Sequence, residues 1–423
     1  MAEERSPVWH PFTQHGLGIA EIPIARAEGA YLFTKDGRAI LDAISSWWVT
    51  LHGHGHPHIV QAITAQARRL EQVIFAGFTH EPAEQLAAKL LALAPKSLAR
   101  VFFSDSGSTA VEVAIKMAVG CWHNRGRPRH RVIAVEHGYH GDMFGAMSVG
   151  QRGLFNAAYE EMLFGVSYLP FPEAGSEQRT IDALKAMLQT QPDSFAALIL
   201  EPLVLGAGGM KMYRPEVLTE IAALCRRHNV FLIADEVMTG FGRTGTLFAC
   251  EQAGVAPDLM CLSKGLTGGF LPMGATLASD EIYQAFYARD RARMFFHSTS
   301  FTGNAIACAA AVANLEVFER ERVAAHIEAI AKHHRTALEL LRGKPHIAGI
   351  RQCGTIAAIE LTAGDSGYLA ALGPKLNRFY LERDVLLRSL GNVVYVLPPY
   401  CTSTNELDRI YDVIGESLTL VAP

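Results

Sequence analysis

From about residue 80 to 310 the chain alternates between two hydrophobic patterns. Short runs that are apolar at nearly every position, "RVFFSD" (100–105), "RVIAVE" (131–136), "FAALILEP" (195–202), "VFLIADEV" (230–237) and "DLMCLSK" (258–264), read as strands covered on both faces. Other stretches, 81–95, 106–122 and 214–229, space their apolar residues as helices do. Small polar residues open the second of these, and a proline stands near the start of the third, as helix N-termini prefer. Apolar strands alternating with amphipathic helices predict an α/β fold, with a large domain whose mostly parallel sheet is covered by helices. After about residue 345 the pattern changes to "IRQCGTIAAIEL", "DVLLRSLGNVVYVLPP" and a final helix. This predicts a smaller α+β domain built from the N- and C-terminal segments. The expected division is 1–55 for the N-terminal part of the small domain, 56–320 for the large domain and 321–423 for the C-terminal part.

Composition narrows the partners. The 423 residues are 49% hydrophobic and 19% charged, with a formal net charge of −4, so nucleic acid and anionic membrane are not expected as main partners. The densest basic stretch, "HNRGRPRHR" (123–131), reads as a solvated loop between a helix and a strand. Seven scattered cysteines without a C-x-x-C pair fit a reducing compartment. "MAEERSPVWHPF" lacks an apolar signal region, and no apolar run reaches the roughly 18–20 residues of a membrane helix. A cytoplasmic location is expected.

In open α/β sheets ligands gather at the carboxyl ends of the strands. The residues there are Asp105-Ser106-Gly107-Ser108, His137-Gly138-Tyr139-His140, Glu201, Asp235-Glu236 and Lys264. Gly107 and Ser108 stand where a strand turns into a helix, which suits a phosphate and equally suits simple capping. Asp235 emerges from an apolar strand and needs a cation, either a structural partner or a protonated ring nitrogen. Lys264 is a snorkelling surface lysine or a desolvated, neutral nucleophile. An acid, a lysine and a phosphate turn at three strand ends are together the three handles of pyridoxal 5′-phosphate.

Two other motifs carry less. "GFGRTG" (240–245) matches G-x-G-x-x-G but neither follows a strand directly nor opens a helix, so it is not read as a dinucleotide site. Histidines 52, 54, 56 and 58 are interrupted by glycines and a proline, with no cysteine or acid to complete a ligand set. They predict a tight loop near the site and no metal.

The chain resembles class III, fold-type I pyridoxal-phosphate aminotransferases over nearly its full length. The resemblance rests on "DSGSTAVEVAIKMA", "GYHGD", "ADEVMTGFGRTG", "LSKGLTGG" and "FTGNAIACAAA". "WHPFTQ" (9–14), "SSWW" (45–48), "GYHGDMFGAMSVG" (138–150) and "LPPY" (397–400) are similar to the subgroup that aminates 8-amino-7-oxononanoate in biotin biosynthesis. By that resemblance Lys264 is the lysine that bonds the cofactor, Asp235 partners its ring nitrogen, and Tyr139 lies beside its ring. Lys264, Asp235 and Tyr139 are then the catalytic set. Gly107 and Ser108 hold the phosphate, with Thr299 and Ser300 reaching in from a neighbouring subunit, which implies a homodimer with shared sites. Trp47, Phe12 and Ser298 line the substrate, and Arg388 holds the keto acid's carboxylate.

The expected reaction is conversion of 8-amino-7-oxononanoate to 7,8-diaminononanoate, with S-adenosylmethionine as amino donor. Lysine as donor, a broad-specificity ω-aminotransferase and a non-catalytic cofactor-binding dimer are the alternatives. The chain departs from the subgroup in carrying Phe12 where a tyrosine is frequent, Thr299-Ser300 where proline-threonine is frequent, and Leu390 where some members have an aromatic residue.

Overall fold

The computed structural model describes residues 6–18, 21–362 and 367–421. Within them the strands are β1 (Ile24–Glu28), β2 (Tyr31–Thr34), β3 (Ala39–Asp42), β4 (Leu98–Ser104), β5 (Arg131–Val135), β6 (Ser167–Leu169), β7 (Phe195–Leu200), β8 (Val204–Leu205), β9 (Lys211–Met212), β10 (Phe231–Asp235), β11 (Leu259–Leu262), β12 (Gly274–Ser279), β13 (Ile347–Cys353), β14 (Ile356–Leu361), β15 (Val385–Leu386) and β16 (Val393–Val396).

The main sheet has the order β4-β12-β11-β10-β7-β5-β6. β12 runs antiparallel to both of its neighbours, while the pairings among β11, β10, β7, β5 and β6 are parallel. β7, β10 and β11 are buried at every position, so their unbroken apolar runs occupy the centre, with helices on both faces. β12, "GATLAS", lies outside the expected strands because its small side chains give no strong apolar signal. Its glycine has a packing reason. A Cβ on Gly274 would lie 2.2 Å from the carbonyl oxygen of Ser106, so only glycine lets the strand begin against the turn after β4.

The expected helices form close to their predicted limits, at Glu81–Leu93, Gly107–Asn124 and Pro215–Arg227. Ser106 caps the second. Its hydroxyl accepts from the Thr109 N–H at 3.1 Å, and the Thr109 hydroxyl in turn accepts from the Ser106 N–H at 2.8 Å. The five predicted strands all end one or two residues early, β10 at Asp235 and β11 at Leu262 among them. Lys264 therefore opens a 3-10 turn, Lys264–Thr267, with φ +43°.

The outer sheet joins the chain's two ends. It has the order β1-β2-β3-β15, with Leu41 in register with Val385 and Asp42 with Leu386. A third sheet, β13-β14-β16, is antiparallel. Its buried Ile356 to Ile359 share a core with residues of the helices Val323–Leu341 and Thr404–Ser417.

The basic stretch 123–131 is not wholly solvated. Arg129 is buried, its guanidinium lies 3.7 Å from the Trp122 ring centroid, and it donates to the carbonyls of Phe195 and Asn229 and to Asp193. Those carbonyls sit where β7 begins and where the helix Pro215–Arg227 has ended, and the guanidinium satisfies both. Among the described residues no helix is long and apolar enough to cross a membrane.

Candidate active site

The ends of β10 and β11, the segments after β5 and β7, and the turn after β4 open on one cavity of about 380 Å³. Lys264, Asp235, Tyr139, Gly107, Ser108, Trp47, Phe12 and Arg388 all line it. A larger cavity of about 670 Å³ adjoins it through Tyr139, Asp142 and Phe155 but touches neither Lys264 nor Asp235.

Lys264 lies at the floor. Its Nζ is 4.6 Å from the Trp48 ring centroid. Burial pushes the amine below the ordinary lysine range, and the Asp235 and Glu201 carboxylates only partly oppose this. A lysine so placed has more of the neutral form that reacts with carbonyls.

Asp235 is buried and fixed at both oxygens. Oδ2 lies 2.7 Å from His140 Nδ1, and Oδ1 accepts from the Val237 N–H at 3.1 Å. His140 Nε2 is buried without a partner, so the tautomer that satisfies the pair carries its proton on Nδ1. Glu201, just past β7, accepts from the N–H groups of Tyr139 (3.0 Å) and Gly206 (2.9 Å). Burial pushes its carboxyl up to about 7, with Asp235 adding to the shift and His140 opposing it.

The start of the helix Gly107–Asn124 is shaped for an anion. The Thr109 N–H bonds the Ser106 hydroxyl and the Ala110 N–H bonds the Ser106 carbonyl, which leaves the Gly107 and Ser108 amides for a ligand. Two glycines keep the space clear. A Cβ on Gly107 would lie 2.7 Å from Val237 Cγ1, and one on Gly141 only 1.8 Å from Ser108 Oγ. Acid, amine, ring plate and anion cradle thus border one cavity, and these residues fit pyridoxal 5′-phosphate.

The outer end is aromatic. Arg388 lies over Trp47 at 4.9 Å and donates to the Tyr368 hydroxyl at 3.1 Å. The Phe12 ring centroid is 5.7 Å from Trp47, 6.1 Å from Phe155 and 6.3 Å from Tyr368. Trp47 sits in a turn held against backbone preference, because Ser45, Ser46 and Trp48 have φ of +53°, +59° and +67°. Left-handed backbone costs a non-glycine residue about 1–2 kcal/mol.

The class-III aminotransferase pattern matches residues 13–418. The chain belongs to the class-III aminotransferase family. It is 49% identical over 418 residues to the adenosylmethionine-8-amino-7-oxononanoate aminotransferase of Synechococcus elongatus, covering 97% of this chain and 98% of that one. The crystal structure of the Methanocaldococcus jannaschii protein of the same name superposes with a TM-score of 0.94 at 34% identity, covering 99% and 98% of the two chains. A PLP-bound amine transaminase from an uncultivated Pseudomonas species gives 0.93 at 30% identity, with 99% of each chain covered.

Not every expected residue of this aminotransferase meets in the cavity. Ser298, Thr299 and Ser300 lie on a loop outside it, and the Thr299 hydroxyl donates to Asp105 at 2.8 Å. The histidine run is taken up in pairs, His54 with Asp42, His56 with Glu321 and His58 with Glu316. Arg243, within "GFGRTG", is buried and donates to the carbonyls of Trp48, Thr50 and Pro398, which makes the motif a clasp between chain segments. Sequence reasoning gave no role to Trp48, Tyr395, Phe155 or Tyr368. Trp48 Nε1 donates to the Tyr395 hydroxyl at 3.0 Å. The "SSWW" spacing was the one available signal, since Phe155 and Tyr368 stand in segments without a motif.

Proposed function

We propose that this aminotransferase uses pyridoxal 5′-phosphate to convert 8-amino-7-oxononanoate to 7,8-diaminononanoate, with S-adenosylmethionine as amino donor. What supports the reading most is that the relative named for this reaction aligns over essentially the whole chain at 49% identity. The cavity agrees with a substrate that carries a ketone and, beyond an aliphatic chain, a carboxylate. Lys264 and Arg388, the latter lying over Trp47, line the same cavity.

When bound, the cofactor supplies a carbonyl that accepts the donor's amino group and a ring that withdraws electrons from the carbon being deprotonated. The Gly107 and Ser108 amides would hold its phosphate, Tyr139 would face its ring, and the Asp235 carboxylate would keep its ring nitrogen protonated. Lys264 Nζ takes a proton from the reacting carbon and returns it, acting as base and then acid. Arg388 holds the acceptor's carboxylate by a guanidinium fork. The two half-reactions share one cavity, so the kinetics are ping-pong.

We further infer a homodimer in the cytoplasm, with a large unit of 56–320 and a small unit of 1–55 and 321–423. Thr299 and Ser300 lie outside their own cavity, as residues serving a partner's site would. Ile74, Phe78, Phe296 and Phe301, on segments around that loop, are exposed apolar side chains suited to burial between subunits. Light scattering that gives one chain's mass would overturn the dimer.

Phe12 favours one second reading. It withholds the hydroxyl that a tyrosine there would offer to S-adenosylmethionine, and the second reading takes lysine as donor. Mixing the yellow holoenzyme separately with each amine and following loss of the visible absorbance decides between them. The expected result is conversion by S-adenosylmethionine. Conversion by lysine alone, or no amination of 8-amino-7-oxononanoate by either, overturns the proposed reaction.

A further inference from the structure

Asp42 is wholly buried, yet it does not border the cavity. Its Oδ1 accepts from the N–H groups of Ile44 (3.2 Å) and Ser46 (2.9 Å). Its Oδ2 accepts from the Ser46 hydroxyl at 2.9 Å and lies 3.0 Å from His54 Nε2. His54 is itself anchored, because its backbone exchanges two hydrogen bonds with Gly29. A carboxylate taken out of water is retained where it has such partners. Two of these four contacts go to Ser46, within the left-handed turn at Ser45 to Trp48, and a third goes to Ile44, the residue just before it.

That turn serves the outer end of the cavity. Trp47 is its exposed tip, and its ring supports the Arg388 guanidinium. The register of the outer sheet adds a second link. Asp42 pairs with Leu386, so Trp47 follows one strand of this pair by five residues and Arg388 follows the other by two. The same strand pair therefore delivers both partners, and the Asp42 carboxylate holds the side whose backbone would otherwise relax.

We propose that Asp42, backed by His54, is a positioning residue that holds the Ser45–Trp48 turn so that Trp47 keeps Arg388 aimed at the acceptor's carboxylate. Asp42 touches neither substrate nor cofactor and acts only through Trp47. The inference rests on the reading of Arg388 given above.

The test uses the full-length holoenzyme and its Asp42→Asn, Ser46→Ala, His54→Gln and Arg388→Ala variants. Asn keeps the shape of Asp42 but turns one acceptor into a donor. Asp42→Asn is expected to raise KM for the carboxylate-bearing acceptor about tenfold, with a smaller fall in kcat and the visible cofactor absorbance retained. His54→Gln and Ser46→Ala shift KM in the same direction by less. In the Arg388→Ala background Asp42→Asn adds little further, because both changes act on one contact. An unchanged KM in Asp42→Asn, or an equal further rise in the Arg388→Ala background, overturns the proposal. If Asp42→Asn does not fold, Ser46→Ala in the two backgrounds is read in the same way. The acceptor is the carboxylate-bearing carbonyl compound that the wild type aminates. Failure with 8-amino-7-oxononanoate therefore counts against the function proposed above and not against Asp42.

Discussion

His52 Nε2 lies 2.9 Å from Asn314 Oδ1, and the Asn314 amide donates to the carbonyls of Gly265 (3.0 Å) and Leu266 (3.1 Å), the two residues after Lys264. The relay ties the loop after Trp48 to the floor of the site. Burial pushes His52 down to about 3, so it stays neutral in the fold. Below the ordinary histidine value near 6.5 the unfolded chain takes up a proton that the folded chain refuses. Stability is therefore lost as pH falls from about 6.5 towards 3, and His52→Gln removes that part of the slope. Denaturant titrations across this range measure it. His52→Ala leaves Asn314 with an unmet acceptor and costs about 1–3 kcal/mol at neutral pH.

Lys264→Ala removes the amine that moves the proton. The turnover rate falls by at least about 10²–10⁴-fold, the usual worth of a positioned acid–base group. The melting temperature is kept or rises, because a desolvated amine is a cost to the fold. A variant that turns over at the wild-type rate sinks the assignment.

Gly141→Ala tests the anion cradle. The backbone there has φ +127°, and a Cβ would strike Ser108 Oγ at 1.8 Å and Ser108 Cβ at 2.7 Å. Something must shift at the first turn of the helix. Cofactor affinity, measured by titrating the apoprotein, is expected to fall by at least about tenfold, as the loss of one charge-assisted hydrogen bond would produce.

Arg388→Ala is expected to raise KM for the acceptor by about 10–150-fold, the equivalent of one or two hydrogen bonds to a charged group. Donors that lack a carboxylate at that end lose far less. Comparing the two half-reactions by stopped flow separates these effects.

Glu201 carries the opposite pH sign to His52. Its carboxyl titrates near 7 in the fold and near 4.5 when unfolded, so between those values the folded chain holds a proton that the unfolded chain has lost. Stability falls as pH rises from about 4.5 to 7. Glu201→Gln flattens this slope in the apoprotein, while keeping an acceptor for only one of the Tyr139 and Gly206 amides, which bond different carboxylate oxygens.

Much of this was legible in the sequence, for physical reasons that can be named. β7, β10 and β11 were visible because strands buried on both faces must be apolar throughout, and their ends then point to the chemistry. Lys264, Asp235, Tyr139, Gly107 and Ser108 fall at such ends and meet in the cavity. β12 was silent, since a strand of glycine, alanine, threonine and serine has no apolar period. Arg129 was misread because its loop is polar, while its carbonyl partners come from residues 66 and 100 positions away. The Phe12, Phe155 and Tyr368 cluster joins three remote segments, and no spacing rule reaches that far. The turn at Ser45 to Trp48 showed itself only as four letters. Its backbone geometry depends on Asp42, which reads as one more strand residue.

β12 also bears on how the chain assembles. It stands between β4 and β11, with Gly274 against the Ser106 carbonyl. The cradle at residue 107 and the lysine at 264 therefore follow strands, β4 and β11, that are not neighbours and are joined in one sheet only through the later β12. The cavity also needs Tyr368, Arg388 and Tyr395, so its walls come from both ends of the chain as well as from the sheet. Such long-range closure is slow. A truncation that stops short of β12 would leave a gap in the sheet between the strand that leads to the cradle and the strand that leads to the lysine.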